Sequence, residues 1–276
     1  DAVLADNGML YIAGHINAGG VINKSFILCV DENGFAYSGF GEDGYVIVEA
    51  DEIRAMAMDA EGNIYIGGAE YYVNGSKYDV AIVQRYTIDG QLDTSFGDNG
   101  TSWIFEDDKS NYIYALEVDE NNKVMVGGGV YYQKEGFSWD VPTPKVYRLN
   151  NDGNLDDSYG NNGGFQLDIC EGNADTYAIE FQSDGKCLVL GWMDISTEGS
   201  FSTGTYIIRL TTDGEIDTSF GDNGLVLMEI LQGDQCHNYS REFVVAHDDQ
   251  IFGTLYTQDA ANGNYRAYAY NLNPDG

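Results

Sequence analysis

Basic residues, proline and histidine are scarce in this chain of 276 residues. It has 13 Lys and Arg against 45 Asp and Glu, which gives a formal net charge of −32 at pH 7. A charge of this sign repels phosphate backbones and anionic membrane surfaces, so we expect no nucleic-acid partner. The excess of acidic residues favours solubility and leaves cations or a basic partner as binding candidates.

Long apolar runs and spaced cysteine or histidine motifs are also absent. No run approaches the roughly 18 apolar residues that a membrane helix needs, so we expect no transmembrane segment. The cysteines show no C-x-x-C spacing, which predicts neither a zinc knuckle nor a disulfide framework. No HExxH or G-x-S-x-G motif occurs, so no catalytic residue is assigned.

The sequence does contain an internal repeat. Four segments end in a phrase with one aromatic residue and several Gly, Asp or Asn residues, which we call the closing phrase. Its copies are SGFGEDG ending at Gly44, DTSFGDNG at Gly100, DDSYGNNG at Gly163 and DTSFGDNG at Gly224. The copies lie 56, 63 and 61 residues apart. Internal repeats of this period are the sequence signature of repeat architectures, so they indicate the fold more directly than single residues do.

Each repeat contains four short apolar runs of strand length, which we call runs a, b, c and d. In the third repeat they cover residues 101–105, 112–118, 123–128 and 145–149. Runs b and c are joined by turns rich in Asp, Asn and Gly, which supply the positive φ angles of tight hairpins. Run a is missing from the first repeat, and the fifth repeat ends after run d.

These runs predict an all-β protein: a β-propeller of four-stranded antiparallel blades, with about five blades. A solenoid is the alternative architecture. We expect one domain over residues 1–276, with repeat units at approximately 1–44, 45–100, 101–163, 164–224 and 225–276.

The strand and turn pattern resembles a known family. SDGKCLVLG, RLTTDGEIDTSFGDNG and RLNNDGNLDDSYGNNG are similar to the delta-60 repeat, a domain of unknown function of β-propeller type. The resemblance implies a propeller-like fold in a bacterial secreted or cell-surface protein, and it transfers no catalytic residue. We therefore expect an extracellular or cell-surface location.

An arginine and an aspartate recur on the two sides of the turn that follows run d. They occur together in three repeats and are replaced together, by Cys29 and Tyr37, in the first. This pattern predicts a direct ion pair with a structural role. The predicted pairs are Arg85 with Asp93, Arg148 with Asp156, and Arg209 with Asp217. The aromatic residue of the closing phrase is predicted to pack between adjacent blades.

Turns in a meander alternate between the two ends of its strands, so the c-to-d and a-to-b loops share one end, which we call the loop face. Its predicted ligand-binding aromatic residues are Tyr71, Tyr72, Tyr131, Tyr132, Trp139 and Trp192. The predicted acidic residues are Glu106, Asp107, Asp108, Glu171 and Asp175. Tyr and Trp are favoured in protein interfaces and as sugar platforms, so a glycan or a protein is the expected ligand. Calcium is a candidate, and no other cofactor is indicated.

These features predict a noncatalytic extracellular or cell-surface module for binding or adhesion, which uses an acidic loop face with an aromatic rim. A carbohydrate-active enzyme with paired carboxylates is one alternative. A purely structural spacer in a bacterial surface protein is the other.

Overall fold

A computed structural model describes residues 1–17, 23–71, 78–104, 109–133, 140–167, 173–195, 202–228, 236–259 and 263–276. These residues form twenty β-strands, and the prediction of an all-β protein is confirmed. No helix that could cross a membrane occurs among them.

The strands fall into five successive groups of four, which we call blades 1 to 5. Blade 1 contains β1 (Ala2–Leu4), β2 (Leu10–Asn17), β3 (Asn23–Val30) and β4 (Tyr45–Val48); blade 2 contains β5 (Glu52–Met58), β6 (Ile64–Glu70), β7 (Val80–Tyr86) and β8 (Thr101–Ile104). Blade 3 contains β9 (Ser110–Val118), β10 (Val124–Gln133), β11 (Asp140–Leu149) and β12 (Gly164–Gln166). Blade 4 contains β13 (Ala174–Phe181), β14 (Cys187–Asp194), β15 (Thr203–Leu210) and β16 (Leu225–Met228). Blade 5 contains β17 (Cys236–Tyr239), β18 (Phe243–Val245), β19 (Ile251–Asp259) and β20 (Asn264–Leu272).

Blades 1 to 4 are meanders in which each strand pairs with the next one along the chain. In blade 5, β17 and β18 pair with successive parts of β19, and β20 pairs with the other side of β19. One parallel bridge between Thr203 and His237 joins blade 5 to blade 4 in a single eight-stranded sheet.

The expected grouping of runs a to d within one repeat is wrong. Run a pairs with the d strand of the preceding repeat, as Thr101–Ile104 does with β7 and Leu225–Met228 with β15. The closing phrase is a compact connection that returns the chain antiparallel to strand d, so hydrogen bonding favours that partner. A blade therefore has the order b, c, d, a, and the closing phrase lies inside it.

Because of this order, the run a that is missing from the first repeat does not leave blade 1 incomplete. Blade 1 is complete, because Tyr45–Val48 of the second repeat pairs with β3 as its fourth strand. Within the part of the chain that the structure describes, the fourth position is empty in blade 5, where β20 pairs only with β19.

The b-to-c turns are closed by acidic side chains that act as hydrogen-bond acceptors. In blade 2, Oδ1 of Asp59 accepts the backbone N–H groups of Glu61 (3.0 Å) and Asn63 (2.8 Å). Gly62 in this turn has a φ of 88°, a conformation that costs other residues energy. The turn rich in Asp, Asn and Gly that the sequence predicts between runs b and c is thus present as a hairpin turn.

The chain forms two compact units. One comprises Asp1–Val126 with Arg148–Asp156, and the other comprises Gly127–Tyr147 with Asp157–Gly276. The core of the first unit includes the fully buried residues Ile27 and Ile64, and that of the second includes Leu190. The expected single domain over residues 1–276 stays a prediction.

Within each unit, the closing phrase of one blade touches the d-to-a turn of the next blade. In the closing phrase, the N–H of the glycine directly after the aromatic residue donates a hydrogen bond. The acceptor is the carbonyl of the Asp that precedes the glycine of the turn after strand d in the next blade. The four bonds are Gly41 to Asp89 (2.9 Å), Gly97 to Asp152 (2.7 Å), Gly160 to Asp213 (2.8 Å) and Gly221 to Asp275 (2.8 Å). A Cβ on Gly153 would lie 2.5 Å from the amide nitrogen of Gly97, so the approach requires glycine.

The arginine and aspartate of the repeat form ion pairs in blades 2, 3 and 4. Nε of the arginine donates to Oδ2 of the aspartate at 2.8 Å in each pair: Arg85 with Asp93, Arg148 with Asp156 and Arg209 with Asp217. In blades 2 and 4 the guanidinium also reaches the next blade. Arg85 donates to the carbonyl of Asn151 at 2.6 Å, and Arg209 donates to that of Pro274 at 2.7 Å. Each of these two arginines therefore links its own closing phrase to the following turn.

Candidate functional site

The loop face is described only in part. Tyr72, Trp139, Glu106, Asp107, Asp108 and Glu171 lie outside the described residues. Tyr132 lies in β10. The structure places the side chains of Tyr71, Tyr131, Trp192 and Asp175.

In the first unit, Tyr71 lies directly after β6 and is anchored to the start of β5. Its hydroxyl donates to Oε2 of Glu52 at 2.5 Å, and its backbone N–H donates to Oδ2 of Asp51 at 2.8 Å. Arg54 donates from Nη2 to the same Glu52 oxygen at 2.9 Å. Partial burial raises the pKa of Glu52, but the bonds from Arg54 and Tyr71 outweigh it and leave the pKa below its ordinary value. Glu52 is thus an ionised carboxylate that accepts hydrogen bonds from Arg54 and Tyr71.

Arg54 extends this cluster to blade 3. Its guanidinium carbon lies 5.3 Å from the ring centroid of Tyr112 and 4.6 Å from that of Tyr114. The Tyr112 hydroxyl donates a short hydrogen bond to Asp79, which lies just before β7. Cation–π contact and charge-assisted hydrogen bonds therefore hold the loop ends of two blades together.

Glu70, at the end of β6, has a raised pKa, in contrast to the lowered pKa of Glu52. Burial raises its pKa to about 7, and the negative charge of Asp51, a hydrogen bond with Asp51 and the charge of Glu49 act in the same direction. Glu70 therefore holds a proton near neutral pH, beside a second carboxyl group. A carboxyl group with a raised pKa beside a second carboxyl group is a pattern found in general acid–base sites.

We predict that Glu70→Gln stabilises the protein at pH 8 and not at pH 5. A carboxyl group whose pKa is raised by folding stabilises the fold below its unfolded pKa, and this contribution is lost as the pH rises through about 7. Glutamine imitates the protonated form. In thermal melts at pH 8 we expect a Tm about 2 to 4 °C above that of the wild type.

The matched control for this change is Glu61→Gln in an exposed b-to-c turn, which removes the same charge. Its effect on Tm should not depend on pH in this way. An equal effect of Glu70→Gln at both pH values would contradict the assignment of a protonated Glu70.

In the second unit, Tyr131 of β10 is anchored to the start of β13. Its hydroxyl donates to Oδ2 of Asp175 at 2.5 Å, and the backbone N–H of Thr176 donates to Oδ1 at 3.0 Å. Asp175 is buried, with 3% of its surface exposed. A Cβ on Gly129 would lie 2.5 Å from its Oδ1, so glycine leaves the space that this carboxylate occupies. Asp175 is therefore an internal anchor of the loop face.

Trp192 lies opposite Asp175 in the β13–β14 register and is half-buried. It forms a hydrogen bond with Tyr177, whose ring lies 4.8 Å below the guanidinium carbon of Arg241. Burial, followed by the charge of Asp175, raises the pKa of Tyr177 above its ordinary value. Trp192 is thus anchored in the blade through Tyr177 and is partly exposed.

Comparison with known families identifies the repeat. Residues 120–159 and 182–220 match the family model described as a domain of unknown function (DUF5122) β-propeller. These two segments are similar to repeats of the DUF5122 β-propeller type. The expected family resemblance and the propeller fold class are therefore confirmed. No curated protein matches the chain.

Two solved structures are similar to this chain in backbone fold. One is a mannose phosphorylase from Leishmania mexicana in complex with phosphate, at 14% identity and a TM-score of 0.44, covering 93% of this chain and 78% of the other. The second is an endo-arabinase from Bacteroides thetaiotaomicron, at 12% identity and a TM-score of 0.48, covering 99% of this chain and 92% of the other.

The DUF5122 match contains the ion-paired joints of blades 3 and 4. The first matched segment includes Arg148 and Asp156, and the second includes Arg209 and Asp217. Both segments also include the aromatic residue of the closing phrase, Tyr159 or Phe220, each almost fully buried. The residues that define the repeat thus have identified partners in the structure.

The described residues of this chain contain no group of three or more His, Cys, Asp or Glu side chains that could hold a metal ion. Calcium as a ligand stays a prediction. A groove of about 340 Å³ lies in the first unit at the opposite end from the loop face, where it is lined by β1, the turn after β5 and Ile88.

Sequence reasoning missed Arg54, Glu70, Asp79 and Tyr112. One available signal was the basic residue in EIRAMAM, because an arginine inside an apolar strand needs a partner. The pairing of Glu70 with Asp51 had no comparable signal, since acidic residues are frequent throughout this chain.

Proposed function

We propose that this β-propeller is a noncatalytic extracellular or cell-surface module that binds a glycan or a protein through its loop face. The observation that carries the proposal is the repeated bond between a tyrosine hydroxyl and a carboxylate at the loop ends of the strands. These bonds join Tyr71 to Glu52, Tyr112 to Asp79 and Tyr131 to Asp175.

These bonds support binding more than catalysis, because they occupy the carboxylates. A carboxylate that attacks a substrate or accepts its proton must reach the reacting atom. Glu52 is paired with Arg54, and Asp175 is 3% exposed. Such groups make the loop ends rigid, and a rigid scaffold lowers the entropy cost when loops bind a ligand.

The charge of the chain narrows the class of ligand. With a net charge of −32, the protein repels anionic polymers, attracts cationic ones and does not repel neutral ones. Half-buried aromatic residues such as Trp192 offer stacking surfaces for a sugar ring or contacts for a protein. A neutral glycan or a basic protein segment is therefore the proposed ligand.

A glycan array, with a protein array beside it, run with and without calcium, tests this proposal. We expect a saturable ligand whose affinity falls at least about tenfold in Trp192→Ala. The matched control is Ile88→Ala in the groove at the opposite end, where 46% of the side chain is exposed. No ligand on either array, or an equal loss in both variants, would contradict the proposal.

The carbohydrate-active enzyme remains a second candidate because of Glu70 and Asp51. The proton held by Glu70 beside an acidic neighbour has the form of a general acid with its partner carboxylate. Cleavage of chromogenic glycosides that disappears in both Glu70→Gln and Asp51→Asn would favour this function. Full ligand binding by the wild type and by both variants, with no cleavage by any of them, would favour the noncatalytic module.

A further inference from the structure

Arg241 differs from four other arginines of this chain because no carboxylate pairs with it. The four pairs are Arg54 with Glu52, Arg85 with Asp93, Arg148 with Asp156 and Arg209 with Asp217. Among the described residues, Arg241 forms neither a hydrogen bond nor an ion pair, and its contact is the ring of Tyr177, with the centroid 4.8 Å from the guanidinium carbon. An arginine that stays unpaired in a chain with 45 acidic residues has its donors available to a ligand.

A β-bulge positions Arg241. The register places residues 240–242, between β17 and β18, opposite residues 254–255 of β19. The extra residue is the mark of a bulge, and bulges re-aim side chains next to functional sites. Oγ of Ser240 donates to the carbonyl of Glu242 at 3.4 Å across this bulge. The side chain of Arg241 is exposed at its centre.

The backbone on both sides of the bulge is fixed within the second unit. Asn238 and Phe243 are buried. Nδ2 of Asn238 donates to the carbonyl of Thr203 at 3.1 Å, and Oγ1 of Thr205 donates to the carbonyl of Asn238 at 3.1 Å. These bonds hold β17 against β15, so the backbone that carries Arg241 is ordered before a ligand binds.

Trp192 lies beside the same tyrosine. Its Nε1–H is the donor of the hydrogen bond with Tyr177, because an indole has one donor and no acceptor. Trp192 is partly exposed, and Arg241 is exposed. Tyr177 thus contacts both an indole and a guanidinium, and it brings an accessible aromatic side chain close to an unpaired cation.

The donors of Arg241 match a carboxylate. A guanidinium that stacks on an aromatic ring uses its face for this contact, and its N–H groups lie in its plane. Two parallel N–H groups bind the two oxygens of a carboxylate in a bidentate pair. The indole of Trp192 offers a flat apolar surface for a sugar ring. A uronic acid, which is a sugar ring with a carboxylate, presents both partners in one molecule.

The charge of the chain limits how many carboxylates the ligand can carry. A net charge of −32 repels a polymer that has a carboxylate on each sugar. A single carboxylate is neutralised by Arg241 where it binds, and the repulsion from distant acidic groups is screened beyond about 8 Å at physiological salt. The ligand that fits is therefore a glycan that is neutral apart from one uronic acid.

We propose that Trp192 and Arg241 form a subsite for one uronic acid of an otherwise neutral glycan, in which Arg241 binds the carboxylate and Trp192 binds the sugar ring. This inference rests on the proposed binding of a glycan by the loop face, and it names the sugar that the second unit selects.

Isothermal titration calorimetry with matched pairs of sugars tests the subsite. The probes are the methyl glycosides of glucuronate, galacturonate and mannuronate, each beside the methyl glycoside of glucose, galactose or mannose. With the full chain, we expect at least one uronate to bind saturably and at least about tenfold more tightly than its neutral counterpart. In Arg241→Gln, we expect the ratio of these two affinities to fall to about twofold or less.

Arg266→Gln is the matched control, because it removes the same charge from an exposed position. Among the residues that the structure describes, Arg266 has neither a carboxylate partner nor an aromatic ring beneath it. We expect this variant to keep the wild-type ratio. Arg241→Lys keeps the charge but not the planar fork, so its ratio should lie between those of Arg241→Gln and the wild type. Thermal melts establish that the variants fold.

Several outcomes overturn the proposal. One is a ratio that survives Arg241→Gln, and another is an equal loss in Arg241→Gln and Arg266→Gln. Glucose-6-sulfate or N-acetylglycine bound as tightly as the uronate would show that the site recognises any anion or the end of a peptide. Neutral sugars bound without a preference for the uronate, or a ligand on the glycan array while none of these sugars binds, would overturn the subsite and leave the proposed glycan binding standing.

Discussion

Arg209→Ala is expected to lower the free energy of unfolding by about 3 to 5 kcal/mol, because it breaks a buried charged network. Only 3% of the Arg209 side chain is exposed. Its guanidinium donates to Asp217 at 2.8 Å, to Gln182 at 3.1 Å and to the carbonyl of Pro274 at 2.7 Å. The variant leaves these acceptors without their donor inside the protein, where water replaces it poorly.

Denaturant unfolding followed by circular dichroism measures this effect, and Lys186→Ala is its control. Lys186 lies 3.1 Å from the same Asp217 oxygen, but its side chain is 30% exposed. We expect this variant to lose less than about 1 kcal/mol. Arg209→Lys keeps the charge but not the planar fork, so its stability should lie between those of Arg209→Ala and the wild type.

A double-mutant cycle separates the ion pair from the other contacts of Arg209. In an Asp217→Ala background, Arg209→Ala should cost less than it does in the wild type, with a coupling of about 0.5 to 3 kcal/mol. Strict additivity of the two losses would contradict a direct contribution of the pair to stability.

Phe96→Ala is expected to cost about 3 to 5 kcal/mol, because a fully buried ring is lost from the closing phrase of blade 2. Phe96 is 0% exposed. Its ring meets Tyr65 edge to face with centroids 5.8 Å apart, and the guanidinium carbon of Arg85 lies 4.9 Å from its centroid. The cavity would therefore remove apolar contacts and a cation–π partner at the same time.

Phe35→Ala is the matched control, since the same side chain is 71% exposed in blade 1. Unfolding measurements should show a change within about 0.5 kcal/mol for this variant. Phe96→Leu, which retains most of the apolar volume, should lose less than Phe96→Ala. Similar losses for Phe96→Ala and Phe35→Ala would contradict a role for Phe96 in holding the blades together.

The joint between blades could be predicted well because its residues lie close together in the chain. The arginine and the aspartate are eight residues apart, and both are replaced in the first repeat, by Cys29 and Tyr37. Comparison of the repeats within this one chain thus indicated the contact. The second partner of Arg85, the carbonyl of Asn151, was not predicted. Every residue has a backbone carbonyl, so the sequence does not indicate which carbonyl accepts a hydrogen bond.

The loop face could be predicted less well. Its anchors pair residues far apart in the chain, such as Tyr131 with Asp175 and Tyr112 with Asp79. Tyrosines and carboxylates are both frequent in this sequence, so their types alone select no particular pair. The prediction of an acidic ligand-binding surface included Asp175, whereas the structure places this side chain in the interior as a hydrogen-bond acceptor.

The sequence by itself determined the all-β class, the positions of the turns and the repeated ion-pair residues, because these depend on local conformation and short separations. Only the tertiary structure decided which strand run a joins, how β17 and β18 share β19, and which carboxyl groups are paired, buried or protonated. Strand pairing and the pKa of a side chain depend on neighbours in space, and those neighbours are chosen by packing across the whole blade rather than by the residues next to them in the chain.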